Sequence, residues 1–272
     1  VDPEEFISAV RPGATAMIAV NHASNVTGSV QAIEEIGMML HDRFEEADRP
    51  LFLVDASQSL GHCPLDVRAA KVDLLAFPGH KGLLGPTGTG ALAIRPGVED
   101  RLATFREGGT GNVSEQETQP RMMPERYEAG SHNTVGIVGL SEGVAWLLER
   151  GVAAVREHEA ELLRPLLGAL TGMREDGVRV LGDAPIDRRV GVVSFTHAAY
   201  SPAELAMVLE SEFGILSRAG LHCAPHVHAM MGTAPPHSPR AEGAVRLSLG
   251  PFLERADIEF TIAAVGAVSE KS

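Results

Sequence analysis

The first hundred residues carry short apolar runs separated by stretches with helical spacing. Runs of four or five apolar residues are too short for buried helices and are typical of strands covered on both faces. These predicted strands are residues 17–20, 51–54, 74–77 and 90–94. Between the first two, apolar side chains recur at helical intervals, which predicts a helix over residues 30–44. Strand, helix and strand in this order indicate a mainly parallel sheet.

The pattern changes after residue 96. Residues 97–132, rich in Gly, Gln and Pro, predict an irregular connection of a length that is usually functional or part of an interface. An amphipathic helical pattern follows over 135–173, and we expect a domain change near 145–155, which divides the chain into 1–148 and 149–272. The remaining predictions are strands at 178–181, 190–195 and 245–249, helices at 202–213 and 256–268, and a loop at 218–240. They indicate a second layer of α+β structure.

Charge and cysteine content narrow the possible partners. The chain has 23 Lys+Arg and 36 Asp+Glu, a net charge of −13, without the basic clusters that nucleic acid or an anionic membrane requires. There is no apolar stretch of roughly 18 residues and no signal-peptide pattern, so we expect the chain neither to span nor to enter a membrane. Two cysteines, Cys63 and Cys223, provide no disulfide framework and favour a cytoplasmic location.

Polar clusters follow three predicted strands, at residues 25–28, 55–58 and 80–81. Ligands of open α/β sheets bind beyond the carboxyl ends of the strands. Asp55 and Lys81 are compatible with a structural ion pair, or with a pyridoxal phosphate site. Such a site needs a lysine for the Schiff base and an acid to keep the pyridine nitrogen protonated. The glycine-rich stretch 85–90 lacks P-loop and dinucleotide spacing, so it is either a turn into a strand or a phosphate contact.

Motifs along the whole chain resemble one known family. They are Ser-Asn-Val-Thr-Gly at 24–28, Val-Asp-Ala-Ser-Gln at 54–58, Gly-His-Lys-Gly-Leu-Leu-Gly-Pro at 79–86, Tyr-Glu-Ala-Gly-Ser-His-Asn at 127–133, and Arg-Ala-Gly-Leu-His-Cys-Ala-Pro at 218–225 with Val-Arg-Leu-Ser at 245–248. In this order and spacing they resemble the class V aminotransferase superfamily, in its cysteine desulfurase and selenocysteine lyase branch. The resemblance implies an α/β fold of the PLP-dependent transferase type, aspartate aminotransferase-like. Its sheet is mainly parallel with helices on both faces, and a smaller C-terminal α+β domain follows.

The resemblance also implies roles for residues around the cofactor, pyridoxal 5'-phosphate. Lys81 matches the Schiff-base lysine, and Asp55 matches the partner of the pyridine nitrogen. Gln58 matches the residue that hydrogen-bonds the phenolic oxygen, and His80 matches a phosphate contact. Ser131 matches a hydroxyl that reaches the phosphate of the neighbouring subunit in family dimers. A homodimer is therefore expected, with the 97–132 connection near its interface.

Substrate-binding roles follow in the same way. Asn25 matches a residue near the cofactor and the substrate carboxylate. Arg246 matches the arginine that grips this carboxylate, a task suited to a planar bidentate group. Arg218 is a second candidate for contact with the substrate, which the resemblance implies is cysteine or selenocysteine.

Cys223 has the position of the family's nucleophile. A lone cysteine is ordinarily a small buried apolar residue, but this one lies among His222, His226 and His228. We expect a neighbouring imidazolium or proton transfer from the substrate to increase its thiolate fraction. The same segment offers ligand types for zinc, but it lacks the usual paired spacing, so no metal is expected. Cys63 is expected to be structural.

Two departures from the family pattern stand out. Pro78 occupies the position where the family has a phosphate-binding Ser or Thr. By resemblance, on the order of a hundred family residues, about the size of a small domain, should precede Val1. Three explanations are open: the chain is a trimmed part of a longer enzyme, a separate chain supplies the missing residues, or catalysis has been lost. We favour the first.

The leading hypothesis is a PLP-dependent cysteine desulfurase-like enzyme. As the resemblance implies, it would convert L-cysteine to L-alanine and hold the sulfur on Cys223 as a persulfide, with a possible sulfur-acceptor protein as partner. Other class V chemistry, namely a C–S or C–Se lyase, an epimerase or an aminotransferase, remains open. So does a non-catalytic subunit that keeps the fold.

Overall fold

The structure is a computed structural model of the 272-residue chain, and it describes residues 2–113, 115–234 and 242–270. The chain divides into two compact units. The first takes in the residues up to Val20, Ile33–Asp55 and Asp66–Trp146. The second takes in Asn21–Ala32, Ala56–Leu65 and the chain from Leu147 onward. Whether the family's large and small domains divide at residue 148 stays a prediction.

A four-stranded mixed sheet forms the centre of the first unit. Its strands, in their order across the sheet, are β1 (Met17–Asn21), β2 (Leu51–Asp55), β3 (Leu74–Pro78) and β4 (Gly90–Ile94). β2 and β3 run parallel, whereas β3 and β4 run antiparallel. The helices are α1 (Pro3–Ser8), α2 (Ile33–Arg43) and most of α3 (Thr134–Arg150). All four strands predicted in this part of the chain are confirmed, but β4 is mostly exposed and not covered on both faces as expected.

Helix α2 packs closely because it has a glycine at the point of contact. Its buried residues are Ile33, Ile36, Gly37 and Leu40, which recur at helical spacing. A Cβ atom on Gly37 would lie 2.0 Å from the carbonyl oxygen of Ala70, so only glycine fits there. The helix predicted over residues 30–44 is confirmed, but it is shorter at both ends and covers Ile33–Arg43. Residue Val30 instead forms an isolated bridge with Ala23.

An antiparallel sheet and four helices form the second unit. Its strands are β5 (Val178–Val180), β6 (Val192–His197), β7 (Arg218–Gly220) and β8 (Ala244–Ser248), in the order β5-β6-β8-β7. Its helices are α4 (Val152–Gly172), α5 (Pro202–Phe213), α6 (Pro225–Met230) and α7 (Arg255–Glu270). Apolar residues of α4, α5, α7 and the sheet make one core, including Leu163, Leu166, Phe195, Leu205, Val245 and Val265. Within the described residues, no helix is long and apolar enough to cross a lipid bilayer.

Local signals set the bounds of α5, which the sequence predicted to the residue. Ser201 caps the helix in a capping box with Glu204, and Pro202 takes the first helical position. Gly214 ends the helix with a left-handed φ of 67°. Because these signals lie next to the helix in sequence, they are readable without tertiary information.

The structure corrects several sequence predictions. The helical stretch 135–173 is two helices, because Gly151 separates α3 from α4 with a φ of 83°. The predicted loop 218–240 contains β7 and α6, which are three and six residues long and too short to show a periodicity. Helix α1 was not predicted. The 97–132 connection is irregular as expected, apart from short 3-10 turns at Glu99–Arg101 and Gly111–Val113.

Candidate functional site

Asp55 and Lys81 approach the same edge of the first unit's sheet. Asp55 is the last residue of β2 and pairs with Ala76 of the parallel strand β3. β3 ends at Pro78, and Lys81 follows three residues later. Because the carboxyl ends of parallel strands meet at one edge, a carboxyl group and an amine follow neighbouring strands there. Asp55 is half-buried, whereas Lys81 is exposed.

A tight turn holds the backbone on either side of Lys81. The N–H of Gly79 donates to the carbonyl oxygen of Thr89 at 2.8 Å. The N–H of Gly85 donates to the carbonyl oxygen of Gly79, also at 2.8 Å. A Cβ atom on Gly79 would lie 2.3 Å from the Thr89 hydroxyl oxygen, and one on Gly85 would lie 2.7 Å from a methyl carbon of Leu140. Glycine at both positions therefore allows the turn to close.

The other residues assigned to the cofactor are divided between the two units. His80 is exposed and adjoins Lys81 in the first unit. Ser131 is exposed in the irregular segment before α3. Gln58 is half-buried in the Ala56–Leu65 segment, which belongs to the second unit. Their roles at the cofactor stay predictions.

The second unit brings Asn25, Arg218, Cys223 and Arg246 together. Arg218 and Arg246 are direct partners across the antiparallel pair β7 and β8, so their side chains leave the same face of the sheet. Neither guanidinium is ion-paired with a carboxylate of the described residues. Burial, and then the charge of Arg218, lowers the pKa of Arg246. Two cations of this kind favour the binding of an anion.

One N–H group of Arg246 has no hydrogen-bond partner among the described residues. Its Nη1 donates to the carbonyl oxygen of Asn25 at 3.1 Å. Its Nε is buried and has no hydrogen-bond partner among the described residues. A buried donor without a partner is costly, and a bound carboxylate would satisfy it.

Three side chains hold the backbone of the loop that carries Asn25. The carbonyl oxygens of Asn25, Val26 and Thr27 accept hydrogen bonds from Arg246, Ser194 and Arg189, respectively. The Ser194 contact is 2.6 Å and the Arg189 contact is 2.8 Å. Sequence reasoning missed Ser194 and Arg189, because their positions in and near β6 are remote from this loop in sequence and no local pattern signals the contacts.

Cys223 is exposed at a strained turn. His222 and Cys223 have φ angles of 51° and 60°, in the left-handed region that non-glycine residues rarely adopt. Arg218 Nη2 donates to the Cys223 Sγ at 3.1 Å. The side-chain amide of Asn25 donates to the carbonyl oxygen of His222. The turn thus presents the thiol beside a guanidinium group.

Two of the histidines near Cys223, His222 and His228, are held neutral by burial, so neither is the imidazolium that the sequence led us to expect. Burial is the main cause that lowers the pKa of His222 to about 4 and the pKa of His228 below its usual range. His222 is 2% exposed and His228 is fully buried. Their pKa values leave both rings uncharged at neutral pH. The positive group in contact with Cys223 is therefore Arg218.

The histidine rings of the 222–228 segment that are buried are engaged in hydrogen bonds. Across residues 2–113, 115–234 and 242–270, no three His, Cys, Asp or Glu side chains come together as a metal site. His222 and His228 bind each other through ring nitrogens 3.0 Å apart. The expected structural cysteine, Cys63, is buried, and burial raises its thiol pKa. His237, which we expect from the sequence to be a solvated loop residue, lies outside the described residues.

The fold and the placement of these residues define a class of protein, an α/β protein of the PLP-dependent transferase type. Solved structures bear out this class. The chain is similar to the apo structure of cysteine desulfurase from Thermococcus onnurineus NA1, with a TM-score of 0.87 and 30% identity, covering 100% of this chain and 64% of that one. It is similar also to cysteine desulfurase CsdA from Escherichia coli, with a TM-score of 0.82 and 26% identity, covering 99% and 62%.

The chain belongs to the aminotransferase class-V family, whose family model matches residues 1–260. A probable cysteine desulfurase from Methanothermobacter thermautotrophicus is 36% identical over 226 residues, covering 82% of this chain and 54% of that relative. One from Pyrococcus abyssi is also 36% identical, covering 76% and 50%. The chain thus spans about half the length of these curated relatives.

The residues present fit pyridoxal 5'-phosphate in their chemistry. An amine for a Schiff base and a carboxyl group for the pyridine nitrogen follow neighbouring parallel strands of one sheet. The turn that carries Lys81 depends on two glycines that leave no room for a Cβ atom. Pro78, which pairs with Gly90, provides no hydroxyl for the phosphate. The residues present therefore match the groups that form the Schiff base and hold the pyridine nitrogen, whereas Pro78 does not match the phosphate.

Proposed function

We propose that this chain carries the catalytic residues of a PLP-dependent cysteine desulfurase. The observation that carries the proposal is the group of Arg218, Cys223 and Arg246, in which an exposed thiol accepts a hydrogen bond from one of two guanidiniums that lack carboxylate partners among the described residues. The curated relatives named probable cysteine desulfurase support it. Aminotransfer and epimerisation give no role to a thiol held in this way.

Each side chain has a task in this proposal. Lys81 and Asp55 hold the cofactor, which supplies an electron sink for bond changes at the substrate's Cα. Lys81 Nζ moves the proton of that carbon. Arg246, through its unpartnered Nε, and Arg218 bind the substrate carboxylate.

Cys223 receives the sulfur. Its Sγ attacks the substrate sulfur, an S–S bond forms, the substrate's C–S bond breaks, and its carbon gains a proton to become alanine. Two thiols become one persulfide and one C–H bond, so atoms and electrons balance without an external oxidant. The hydrogen bond from Arg218 stabilises the anionic sulfur that attacks.

The proposal extends to partners and location. The substrate is cysteine or selenocysteine, a sulfur-acceptor protein takes the persulfide sulfur, and the working form is a homodimer in the cytoplasm. Two free cysteines, one buried and one exposed, support a reducing compartment.

The test is turnover of L-cysteine by the chain loaded with pyridoxal phosphate. We expect alanine to form, a mass increase of one sulfur atom on Cys223, and a visible absorption band that depends on Lys81. Lys81→Ala should lose the band and the activity, and Cys223→Ser should keep the band and lose the persulfide. Alanine formed at an unchanged rate by Cys223→Ser would overturn the sulfur-transfer step. A chain that binds no cofactor would indicate a non-catalytic subunit or a site that this chain alone cannot build, and would overturn the proposal for the chain by itself.

A further inference from the structure

A row of hydrogen bonds leads from a buried threonine to the turn that carries Cys223. The ring nitrogen Nδ1 of His228 lies 2.7 Å from the Thr233 hydroxyl oxygen, and its Nε2 lies 3.0 Å from the Nδ1 of His222. The Nε2 of His222 lies 2.9 Å from the carbonyl oxygen of Arg218. The row therefore joins Thr233, His228, His222 and Arg218.

The direction of each hydrogen bond follows from its last acceptor. A carbonyl oxygen only accepts, so His222 Nε2 donates to Arg218. Because His222 is neutral at pH 7, its Nδ1 accepts, and His228 Nε2 donates to it. The Nδ1 of His228 then accepts from the Thr233 hydroxyl at 2.7 Å, in competition with the His228 carbonyl oxygen, which lies 3.2 Å from the same hydroxyl oxygen. A single assignment of protons satisfies every ring nitrogen in the row.

The row fixes the residues on both sides of the strained turn. At one end it holds the Arg218 backbone, whose own guanidinium donates to Cys223 Sγ at 3.1 Å. His222, in the middle, is also held at its carbonyl oxygen by Asn25. Left-handed φ angles at His222 and Cys223 persist only where surrounding contacts impose them. The two hydrogen bonds of the row are polar contacts that orient the His222 ring.

We propose that His228, oriented by Thr233, is a positioning residue for the Cys223 nucleophile and acts through His222. Neither His228 nor Thr233 touches the thiol. They keep the Arg218 guanidinium in contact with the sulfur, and a charge-assisted hydrogen bond of this kind is strongest when the acceptor is an anion. This inference rests on the proposed function only in naming Cys223 as a nucleophile.

The experiment measures the alkylation rate of Cys223 by iodoacetamide at pH 7 and at about pH 10, with peptide mapping to separate it from the buried Cys63. The charged and titratable groups facing Cys223 are Arg218 on β7, Arg246 on β8, and His222 in the turn itself. At pH 7 we expect His228→Leu to slow alkylation about tenfold and Thr233→Val about threefold. At about pH 10, where thiols ionise without help, the rates should converge with that of the unaltered chain.

Matched variants distinguish positioning from general loss of structure. Thr233→Ser restores the hydroxyl and should restore the rate at pH 7. Thr171→Val removes a hydroxyl that bonds only the Leu167 carbonyl oxygen on α4, so the rate should not change. Equal slowing at both pH values, or unchanged rates in both His228→Leu and Thr233→Val, would overturn the proposal. If His228→Leu does not fold, the alkylation rates of Thr233→Val at the two pH values still test the proposal.

Turnover of cysteine gives an independent measurement. If the function is as proposed, His228→Leu should lower kcat for alanine formation more than it raises KM, because the carboxylate-binding arginines remain. A chain that forms no alanine but shows the expected alkylation pattern refutes the desulfurase proposal and leaves the positioning role standing. Normal turnover with unchanged alkylation in every variant refutes the positioning role alone.

Discussion

Arg218 and Arg246 lie opposite each other on β7 and β8, two cations in direct register without a carboxylate partner among the described residues. Like charges directly opposite destabilise a sheet pair. A bound anion would offset this repulsion, and the Arg246 Nε is a buried donor without a partner among the described residues.

Arg246→Lys should therefore weaken substrate binding while leaving the fold intact. Lysine keeps the charge but lacks the planar fork, so we expect KM for cysteine to rise about tenfold or more with a smaller change in kcat. Steady-state kinetics of alanine formation measure both constants. Arg255→Lys, on the exposed i,i+4 pair with Glu259, is the matched control. A KM equal to that of the control would contradict the carboxylate role.

Acid should destabilise the chain through two buried histidines. The pKa values of His22 and His222 are lowered from 6.5 to about 4, mainly by burial. Between these values the unfolded chain binds more protons than the folded one, so stability is complete above about pH 6.5 and is lost as the pH falls toward 4. We expect a loss of about 2 kcal/mol for each histidine between pH 7 and pH 5.

Urea denaturation at several pH values measures this loss. His22→Asn and His222→Asn do not titrate in this range, so each variant should show a shallower decline on acidification. A slope as steep as that of the unaltered chain would mean that other groups cause the loss.

Gly37→Ala should destabilise the first unit. Its Cβ atom would lie 2.0 Å from the Ala70 carbonyl oxygen, which forces α2 away from its neighbour. We expect a cost of about 2 kcal/mol or more in the free energy of unfolding. Gly168→Ala on α4 is the control, because its Cβ atom meets nothing within 4 Å and alanine favours a helix by roughly 0.5 to 1 kcal/mol. Thermal denaturation should show shifts of opposite sign.

His62→Leu should destabilise the second unit by leaving a buried carboxylate without its donor. Glu159 is 0% exposed, its Oε1 lies 2.7 Å from His62 Nδ1, and its Oε2 has no partner among the described residues. We expect a cost of about 3 kcal/mol or more in urea denaturation. The double variant His62→Leu with Glu159→Leu should recover much of it, because no charge is then buried. A double variant as unstable as the single one would show that packing, and not charge, sets the cost.

The sequence by itself determined the elements and motifs that depend on neighbouring residues. Apolar runs predicted four strands of the first unit, and Ser201, Pro202 and Gly214 bounded α5. The order of motifs led to the family that the comparisons then showed. These signals are local, because strand periodicity, helix caps and short motifs are written within a few residues.

Only the tertiary structure decided how distant residues meet around Cys223. The carbonyl oxygens of residues 25–27 accept from side chains more than 160 positions away, with separations of 162 for Arg189 and 168 for Ser194. The neutrality of His222 comes from burial, which no spacing of histidines predicts. The strand β7, three residues long, exists through its pairing with β8. Contacts of this kind depend on how distant parts of the chain pack, so the sequence could identify the candidate thiol and arginines but not the hydrogen bonds that hold them.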